Sequence, residues 1–437
     1  MKVMKFGGTS VGKPERMHDV ATLITRDEEE KIVVLSALSG TTNSLVEIGA
    51  AMANGDRAAA KQVIDKLDAH YQTFISNLLA TEEAQTKCRA IIAEHFEFLN
   101  IILKISFNEA LNKDILAQGE LMSTKMFSCY LEEKGINHML LPALDFMTID
   151  SYDEPQVGTI KVKLVQLLNK HRDTSIFITQ GYISRNARGE VDNLKRGGSD
   201  YTATIIGAAV RAETIQIWTD IDGMHNNDPR IVEGTKPVEN LSYNEAAELA
   251  YFGAKILHPT CVWPAQKYNI PVWLKNTMQP AAKGTVISEV SVSNRITAIA
   301  AKDSITAIKI RSGRMLNAYG FLRSIFEVFE RYKTSIDMIT TSEVAVSLTI
   351  DDDSRLSEIL EELKKYALVE VDKNQTIICI VGDFLSENKG YAQQIFGALK
   401  DIPIRMISYG GSSNNVTLLI NETHKKEALI SLHKGLF

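Results

Sequence analysis

The chain has 437 residues, of which 45% are hydrophobic and 23% are charged, as in a globular protein with room for two to four domains. Its net charge of −6, without a basic block, gives nucleic-acid binding no electrostatic support, and no apolar run is long enough to span a bilayer. The four cysteines lie far apart without C-x-x-C spacing, which favours free thiols in a reducing cytoplasm over disulfides or a metal site.

A short strand at the start of the chain leads into a turn of small and polar residues. Residues 3–6 (VMKF) predict a buried strand, and GGTS follows at 7–10. A strand that runs through glycines into a helix can bring backbone N–H groups onto phosphate oxygens, and Lys5 adds a positive charge beside that turn. An ordinary strand–turn–helix connection has the same local pattern, so from this stretch alone both interpretations stay open.

One phosphate-binding motif can be excluded at this turn. Gly7, Gly12 and Lys13 have the G-x-x-x-x-G-K spacing of a P-loop. The next residue of a P-loop is Ser or Thr, whose hydroxyl binds magnesium, whereas Pro14 has neither a hydroxyl nor an N–H.

A second buried strand is predicted at 31–36 (KIVVLS), and it ends in another polar turn. Consecutive apolar strands joined through helices are typical of a mostly parallel sheet. Between about residues 45 and 135 the apolar positions recur every three or four residues, which predicts helices. Glu120 lies there in a polar segment, 118–124, and we expect it near the start of a helix, where the dipole alone could favour a carboxylate.

A second glycine-rich turn follows strands predicted at 138–141 and 175–179. It has the sequence NLKRGGSDYT (193–202), and Ser199 is the expected cap of the next helix. Arg196 and Asp200 flank the paired glycines, so opposite charges meet at a helix N-terminus. Two glycine-rich turns in one sheet, each with its own cation, favour a phosphate or carboxylate site.

Polar turns therefore follow several predicted strands of the same sheet. A further strand at 214–218 ends in TDIDG, and NNDPR follows it at 226–230. Ligands of open α/β sheets bind at the carboxyl ends of the strands. If these strands are parallel, one edge of the sheet collects the turns that follow Phe6, Leu35, Thr179 and Trp218.

From about residue 296 the pattern changes to alternating strands and amphipathic helices. The order βαββαβ occurs over 304–374, begins again at 375 and stops short of its final strand. The apolar segment 296–301 is a spare strand that could complete the second repeat. We expect three domains, 1–295, 304–374 and 375–437.

Several motifs together resemble the aspartate kinases of the amino-acid kinase family. They are KFGGTSV (5–11), VVLSALSGTTN (33–43), GELMST (119–124), KRGGSDYTA (195–203), WTDIDG with NNDPR (218–230) and GAKILHP (253–259). In the tail, SIDMITTSEV (335–344) and ISYGGSSNN (407–415) resemble the paired ACT domains of these enzymes. The motifs occur in the expected order over essentially the whole chain, without a homoserine dehydrogenase segment, as in the monofunctional members.

The resemblance implies an α/β fold, in which an amino-acid-kinase domain (a mostly parallel sheet sandwiched by helices) precedes two βαββαβ ferredoxin-like ACT domains. It also implies transfer of the ATP γ-phosphoryl group to the β-carboxylate of L-aspartate, giving 4-phospho-L-aspartate. This product is the entry to lysine, threonine and methionine synthesis. Mg²⁺ would be bound largely by phosphates and water, with no metal site made by the protein.

The resemblance assigns roles to matching positions. Since phosphoryl transfer depends on positioning and charge neutralisation, Lys5 and the amides of Gly7 and Gly8 would stabilise the transferring group. Arg196 would bind the α-carboxylate of aspartate as a bidentate fork, and Glu120 would pair with its α-ammonium. Further residues implied in substrate contacts are Ser36, Thr42, Ser199 and Asp200. Those implied in nucleotide binding are Thr219, Asp220, His225, Arg230 and Lys255, with His225 standing where a tyrosine is common.

The doubled tail repeat implies feedback inhibition by an end-product amino acid, lysine first and threonine second. We expect a homodimer or a dimer of dimers with effector sites at ACT–ACT interfaces. Asp337 would meet a lysine side-chain ammonium, which threonine lacks; the alternative is a solvated residue at a strand end. The expected effector-site residues are Met315, Ala318, Leu322, Asp337 and Ser342, whereas residues 317–319 depart from the lysine-sensitive pattern.

Two other functions fit parts of the sequence. A kinase of another carboxylate or carbamate, such as glutamate 5-kinase, is disfavoured by the ACT-like tail and by Glu120 in GELMST. A catalytically silent amino-acid sensor on this scaffold would require the loss of Lys5, Arg196 or Asp200, and all three are present.

Overall fold

The computed structural model describes residues 1–194, 197–253, 257–290, 295–312, 320–383 and 389–437. They fold into two compact units. The first consists of Met1–Met224, Glu239–Tyr243 and Ile256–Val290, and the second of His225–Val238, Asn244–Lys255 and Ser291–Phe437. Within the described ranges, none of the helices combines the length and the apolar character that a membrane span needs.

An eight-stranded sheet forms the centre of the first unit. The strands of this unit are β1 (Lys2–Phe6), β2 (Lys31–Leu35), β3 (Met139–Leu141), β4 (Ile176–Gln180), β5 (Ile183–Arg185), β6 (Val191–Asn193), β7 (Thr214–Thr219), β8 (Asn240–Ser242), β9 (Val272–Asn276) and β10 (Thr285–Ser288). The order in space is β3-β4-β2-β1-β7-β9-β10-β8, with β5 and β6 forming a separate hairpin. The strands from β3 to β9 are parallel, and β10 is antiparallel to β9. The carboxyl ends of β1, β2, β4 and β7 therefore lie at one edge, as the sequence predicts.

Helices connect these strands. They are α1 (Gly8–Val11), α2 (Pro14–Ile24), α3 (Thr41–Ala53), α4 (Arg57–Leu78), α5 (Glu82–Ile102), α6 (Glu109–Glu133), α7 (Ala143–Phe146), α8 (Val157–Lys170), α9 (Gly198–Val210), α10 (Tyr243–Tyr251) and α11 (Pro259–Lys267). The long helices α4, α5 and α6 begin at side-chain caps. The side chains of Asp56, Thr81 and Asn108 each accept a hydrogen bond from the N–H three residues later. Such caps contribute about 1 kcal/mol each. Apolar residues of α2 to α6 pack with those of β1 and β2 in one buried cluster.

A six-stranded antiparallel sheet forms the larger part of the second unit. Its strands are β11 (Ile296–Arg311), β12 (Ile339–Thr341), β13 (Ala345–Ile350), β14 (Leu368–Gly382), β15 (Met406–Tyr409) and β16 (Asn415–Asn421). The order is β12-β13-β11-β14-β16-β15. The helices are α12 (Phe321–Arg331), α13 (Leu356–Leu363), α14 (Tyr391–Ala398) and α15 (Lys425–Leu436), the last preceded by a 3₁₀ turn at Glu422–His424.

Two long strands are shared between the two repeats of this sheet. The first part of β11, 296–302, pairs with 377–382 of β14, and the later part, 305–311, pairs with 368–375. The sequence predicts a break within each strand, and this is wrong. The strands continue through register shifts, and Ser304 and Asn374 adopt left-handed backbone angles there, with φ of 61° and 56°. Polar, turn-like residues therefore mark irregularities in the ladder and not strand ends.

The repeats have separate hydrophobic cores. One contains Ile308, Ile325 and Ile359, and the other contains Ile299, Ile378 and Ile395. Because Ile299 precedes the first repeat in sequence but packs in the second core, the two repeats are interleaved along the chain.

Two segments that precede residue 291 pack with the second unit. Val232, from 225–238, is buried in the same core as Ile299. Glu245, in α10, accepts a hydrogen bond from the hydroxyl of Thr297 at 2.6 Å. The compact units therefore do not coincide with a single boundary near residue 295, and the limits 1–295, 304–374 and 375–437 stay predictions about domains.

Candidate active site

Close backbone approaches bring three loops together at the carboxyl edge of the sheet. A Cβ atom on Gly8 would lie 3.1 Å from the carbonyl oxygen of Ala37, which follows β2. One on Gly119, in α6, would lie 2.8 Å from the Cβ of Ala37, and one on Gly181 would lie 2.8 Å from the Cα of Ser199. Glycine is required at these positions because any side chain would push the loops apart.

The predicted catalytic side chains Lys5 and Asp200 form an ion pair at this edge. Their Nζ and Oδ1 atoms are 2.6 Å apart, with only 11% and 16% of the two side chains exposed. Lys5 projects from β1, and Asp200 lies in the first turn of α9. The ammonium also lies beside the first glycine-rich turn, since a Cβ on Gly7 would be 3.3 Å from Nζ. A partly buried cation is thus held between the two glycine-rich turns.

The two glycines of the first turn have different hydrogen bonds. The N–H of Gly7 donates to the carbonyl of Trp218 at 3.3 Å, so the predicted donation from Gly7 to a phosphoryl group does not describe this structure. Gly8 is the first residue of α1, where an N–H has no acceptor within its own helix. The amide of Gly8 is therefore the better candidate for an anion contact.

Ser36 and Ser199 connect the loop after β2 with α9. Their Oγ atoms are 2.9 Å apart, and the carbonyl of Ser36 accepts a hydrogen bond from Ser123 at 2.6 Å. Ser199 is not the cap that the sequence predicts, because the helix begins at Gly198 after a left-handed Gly197. Its hydroxyl instead faces the loop after β2. Thr42 is exposed in the first turn of α3.

Glu120 is a buried carboxyl group close to these hydroxyls. It lies in the middle of α6 and not near a helix start, so the dipole does not explain it. The N–H of Ala37 donates to its Oε1 at 3.3 Å, and only 5% of the residue is exposed. Burial raises the pKa of Glu120 to about 8, because the site provides little solvation for the charged form. A cationic group brought into the site would restore the carboxylate.

The residues expected to bind nucleotide are divided between the two units. Thr219 ends β7, and its hydroxyl donates to Asp220 at 3.1 Å. His225 and Arg230 belong to the second unit. The guanidinium of Arg230 donates twice to Asp228, at 2.9 and 2.8 Å, and holds the pKa of that carboxyl below its usual value. The side chain of Arg230 is 79% exposed.

Several predicted site residues lie outside the residues that the structure describes. They are Arg196, Lys255, Met315 and Ala318. Their assigned roles stay predictions from the sequence.

Residues 1–276 match the amino acid kinase family, and residues 378–436 match an ACT domain. The lysine-sensitive aspartokinase 3 of Escherichia coli (strain K12) is 34% identical over 100% of this chain and 99% of its own length. Aspartokinase 3, chloroplastic, of Arabidopsis thaliana is 36% identical over 100% of this chain and 81% of its own. The chain belongs to the aspartokinase family.

Solved aspartokinase structures confirm the predicted fold class. The crystal structure of E. coli aspartokinase III in complex with aspartate and ADP has a TM-score of 0.86 at 32% identity and covers 100% of both chains. The same enzyme in complex with lysine and aspartate has a TM-score of 0.83 and covers 100% of this chain and 99% of its own. The kinase and ACT parts both follow the aspartokinase architecture.

In this member of the aspartokinases, Asp337 is not a solvated strand-end residue. It precedes β12, its side chain is 1% exposed, and Oδ1 is 2.9 Å from the ammonium of Lys302. The hydroxyl of Tyr251 donates to the same oxygen at 2.8 Å, and Lys302 pairs with Asp351 as well. Burial raises the pKa of Asp337 above its usual value, although Lys302 opposes the shift. Its Oδ2 atom makes no hydrogen bond within the described part of the chain.

The other described effector-site candidates lie on the same repeat. Leu322 is in the first turn of α12 and is 41% exposed. Ser342 lies in the turn between β12 and β13, where its N–H donates to the carbonyl of Ala345 at 2.8 Å. An exposed apolar side chain and a turn hydroxyl leave both residues accessible to a ligand or a partner.

Sequence reasoning missed two residues at the carboxyl edge of the aspartokinase sheet. Tyr182 follows β4 with a left-handed φ of 67°, and burial raises the pKa of its phenol to about 12, with a smaller contribution from Glu120. Thr277 follows β9, and its hydroxyl is 2.7 Å from that of Ser10. A polar residue directly after a buried strand is the signal in both cases.

Proposed function

We propose that this chain transfers the γ-phosphoryl group of ATP to the β-carboxylate of L-aspartate, giving 4-phospho-L-aspartate. The observation that carries the proposal is the partly buried Lys5–Asp200 pair, 2.6 Å long, between two glycine-rich turns. Family membership supports the acceptor, since the E. coli relative of similar fold was crystallised with aspartate and ADP. The reaction opens the synthesis of lysine, threonine and methionine.

The described residues suit the electrostatic demands of phosphoryl transfer. Negative charge accumulates on the transferring group and its partner oxygens, so the protein contributes mainly position and positive charge. Lys5 supplies that charge. The carboxylate of Asp200 fixes the position of the Lys5 ammonium before the substrates bind. The N–H of Gly8, which has no acceptor within its own helix at the start of α1, supplies a second donor. Because both groups are fixed by the sheet and by close packing, little reorganisation is needed during the reaction.

Other residues orient the aspartate. The buried Glu120 would accept the α-ammonium, and Ser36 and Ser199, whose hydroxyls are 2.9 Å apart, would contact the acceptor. Arg196, predicted from the sequence, would bind the α-carboxylate as a fork. These groups provide one contact for each charged end of the substrate, which places the β-carboxylate toward Lys5.

Mg²⁺ belongs to the proposed reaction as the partner of ATP and supplies charge neutralisation on the phosphates. Within the described ranges no group of three or more His, Cys, Asp or Glu could hold a metal. We propose that the metal enters with the nucleotide, with Asp220, exposed after β7, as the candidate carboxylate beside it.

The proposed reaction can be tested by trapping its product. Acyl phosphates react with hydroxylamine, so the protein with ATP, Mg²⁺ and aspartate should give aspartyl hydroxamate. Lys5→Met should lose this activity, whereas Lys13→Met, an exposed lysine that precedes α2, should retain it. Hydroxamate formed equally well without aspartate, or with glutamate in its place, would contradict the proposal.

We further propose regulation by an end-product amino acid, with lysine the first candidate, in a cytoplasmic homodimer or dimer of dimers. The E. coli relative is lysine-sensitive, and its structure with lysine has a similar fold. Asp337 is an acidic residue whose Oδ2 atom makes no hydrogen bond to the residues that the structure describes, which supports it as a partner for an ammonium. The four cysteines are free thiols, as expected in a reducing compartment. Titration of lysine and threonine separately into the hydroxamate assay tests the effector.

A further inference from the structure

A cavity of about 480 Å³ lies in the first unit, away from the carboxyl edge of the sheet. Its walls include Glu30 just before β2, Phe177 near the start of β4, and Arg211 just before β7. These positions are at the amino ends of the parallel strands. The cavity, which we call the basic pocket, is therefore at the opposite edge from Lys5 and Asp200.

The basic pocket has an apolar floor. The side chains that form it come from the two helices α8 and α9 and from β4, and they are Val165, Leu168, Phe177, Ala209 and Val210. Phe177 and Ala209 are buried, while Val165 is 37% exposed, so apolar surface faces the opening. A volume of about 480 Å³ is within the range of sites that hold small organic ligands.

The rim of the pocket is cationic. Lys161, Arg172 and Arg211 line it, with His171 adding a charge when protonated, against the single carboxylate of Glu30. Within the described part of the chain, none of the three permanent cations forms an ion pair, and each is exposed. The whole protein has a net charge of −6, whereas the rim of this pocket has an excess of positive charge. Guanidinium and ammonium groups without a carboxylate partner are the donors that phosphates and carboxylates prefer.

We propose that the basic pocket binds a small amphipathic anion, with its phosphate or carboxylate on the cationic rim and an apolar body on the floor. A simple inorganic ion is not the best ligand for this pocket. Such an ion would leave the apolar surface of Phe177 and Val210 without a contact. The length of one helix separates the pocket from the candidate active site. Helix α9 begins beside Asp200 and ends at Val210 on the floor, a distance of about 20 Å for its 13 residues.

Phenyl phosphate is a suitable probe because it combines both features of the ligand. We would titrate it calorimetrically into the full-length protein, with and without saturating ADP and aspartate. Binding with the same affinity in both cases is expected, because the pocket and the candidate active site are at opposite edges. Inorganic phosphate should bind about 10-fold more weakly, since it buries no ring. The absence of binding, equal affinity for inorganic phosphate, or displacement by ADP would overturn the proposal.

A matched pair of variants locates the site. The double variant Lys161→Ala/Arg211→Ala should bind phenyl phosphate about 10-fold more weakly or worse, because it loses two charged donors. Lys163→Ala changes a lysine of the same helix that does not line the pocket, and it should bind as the wild type does. Thermal melting would verify that both variants are folded. Wild-type affinity in the double variant, or an equal loss in Lys163→Ala, would refute the assignment.

Discussion

The pH dependence of aspartate binding gives a sensitive test of Glu120. Its side chain is 5% exposed, and burial raises its pKa to about 8, so at neutral pH the free protein holds it mostly protonated. Only the ionised form attracts the α-ammonium of aspartate. Because the pKa of Glu120 in the folded protein lies above the usual value, the affinity for aspartate should increase as the pH rises toward and through about 8.

The expected size of the effect follows from the ionised fraction. With a pKa of about 8, roughly 3% of Glu120 is ionised at about pH 6.5 and roughly 75% at about pH 8.5. The apparent dissociation constant is the intrinsic one divided by the competent fraction, so it should fall about 25-fold over this interval. Binding at about pH 6.5 should also release close to one proton for each aspartate bound.

Calorimetric titration of aspartate at several pH values measures both quantities. Repeating each titration in buffers of different ionisation enthalpy gives the number of protons released. Glu120→Gln is the control, because it keeps the shape of the side chain and removes its titration. The variant should bind aspartate weakly and with little pH dependence. A wild-type affinity that is constant between about pH 6 and 9, or a dependence that persists in the variant, would refute the reasoning.

Four further outcomes are expected. Lys5→Met should lower kcat about 10²-fold or more with a smaller change in aspartate affinity, and near wild-type kcat would show that the first turn is structural. Arg196→Lys keeps the charge but loses the planar fork, so KM for aspartate should rise while nucleotide binding is retained. Loss of ATP binding with aspartate binding retained would exclude the assigned role. Asp337→Asn should weaken inhibition by lysine with little change in uninhibited turnover, and inhibition curves equal to those of the wild type would dismiss Asp337 as an effector ligand. Deletion of 376–437 removes the pairing partners of 296–302 and should give insoluble or unregulated protein, as measured by sedimentation and lysine titration; a soluble, lysine-inhibited product would contradict this expectation.

Sequence patterns predict the meeting of the polar turns at the carboxyl edge of the sheet, because each clue there is local. The strands β1, β2, β4 and β7 are short and mostly buried, and each ends in a polar or glycine-rich turn. Parallel pairing then places those turns together without further information. The sequence places Lys5 and Asp200 each within two residues of a glycine-rich turn, but only the structure shows that the two side chains pair.

Other features depend on contacts that no local pattern contains. Glu120 has its raised pKa because α6 is continuous from Glu109 to Glu133 and packs its middle against the loop after β2. The hydrogen bond from the N–H of Gly7 to the carbonyl of Trp218 depends on the register of β1 with β7. The burial of Asp337, for which the sequence left a solvated position open as the alternative, depends on Lys302 in a strand 35 residues earlier. Such partners are determined by tertiary packing.

The interleaved strands of the second unit determine how this tail could be exchanged between enzymes. A chimaera that replaced one repeat would have to cut inside both β11 and β14, where each strand passes from the ladder of one repeat into that of the other. Exchange of the whole stretch from 296 to 437 would leave both strands uncut. The natural unit of recombination in this tail is therefore the pair of repeats, and a donor enzyme would transfer its effector response only with both.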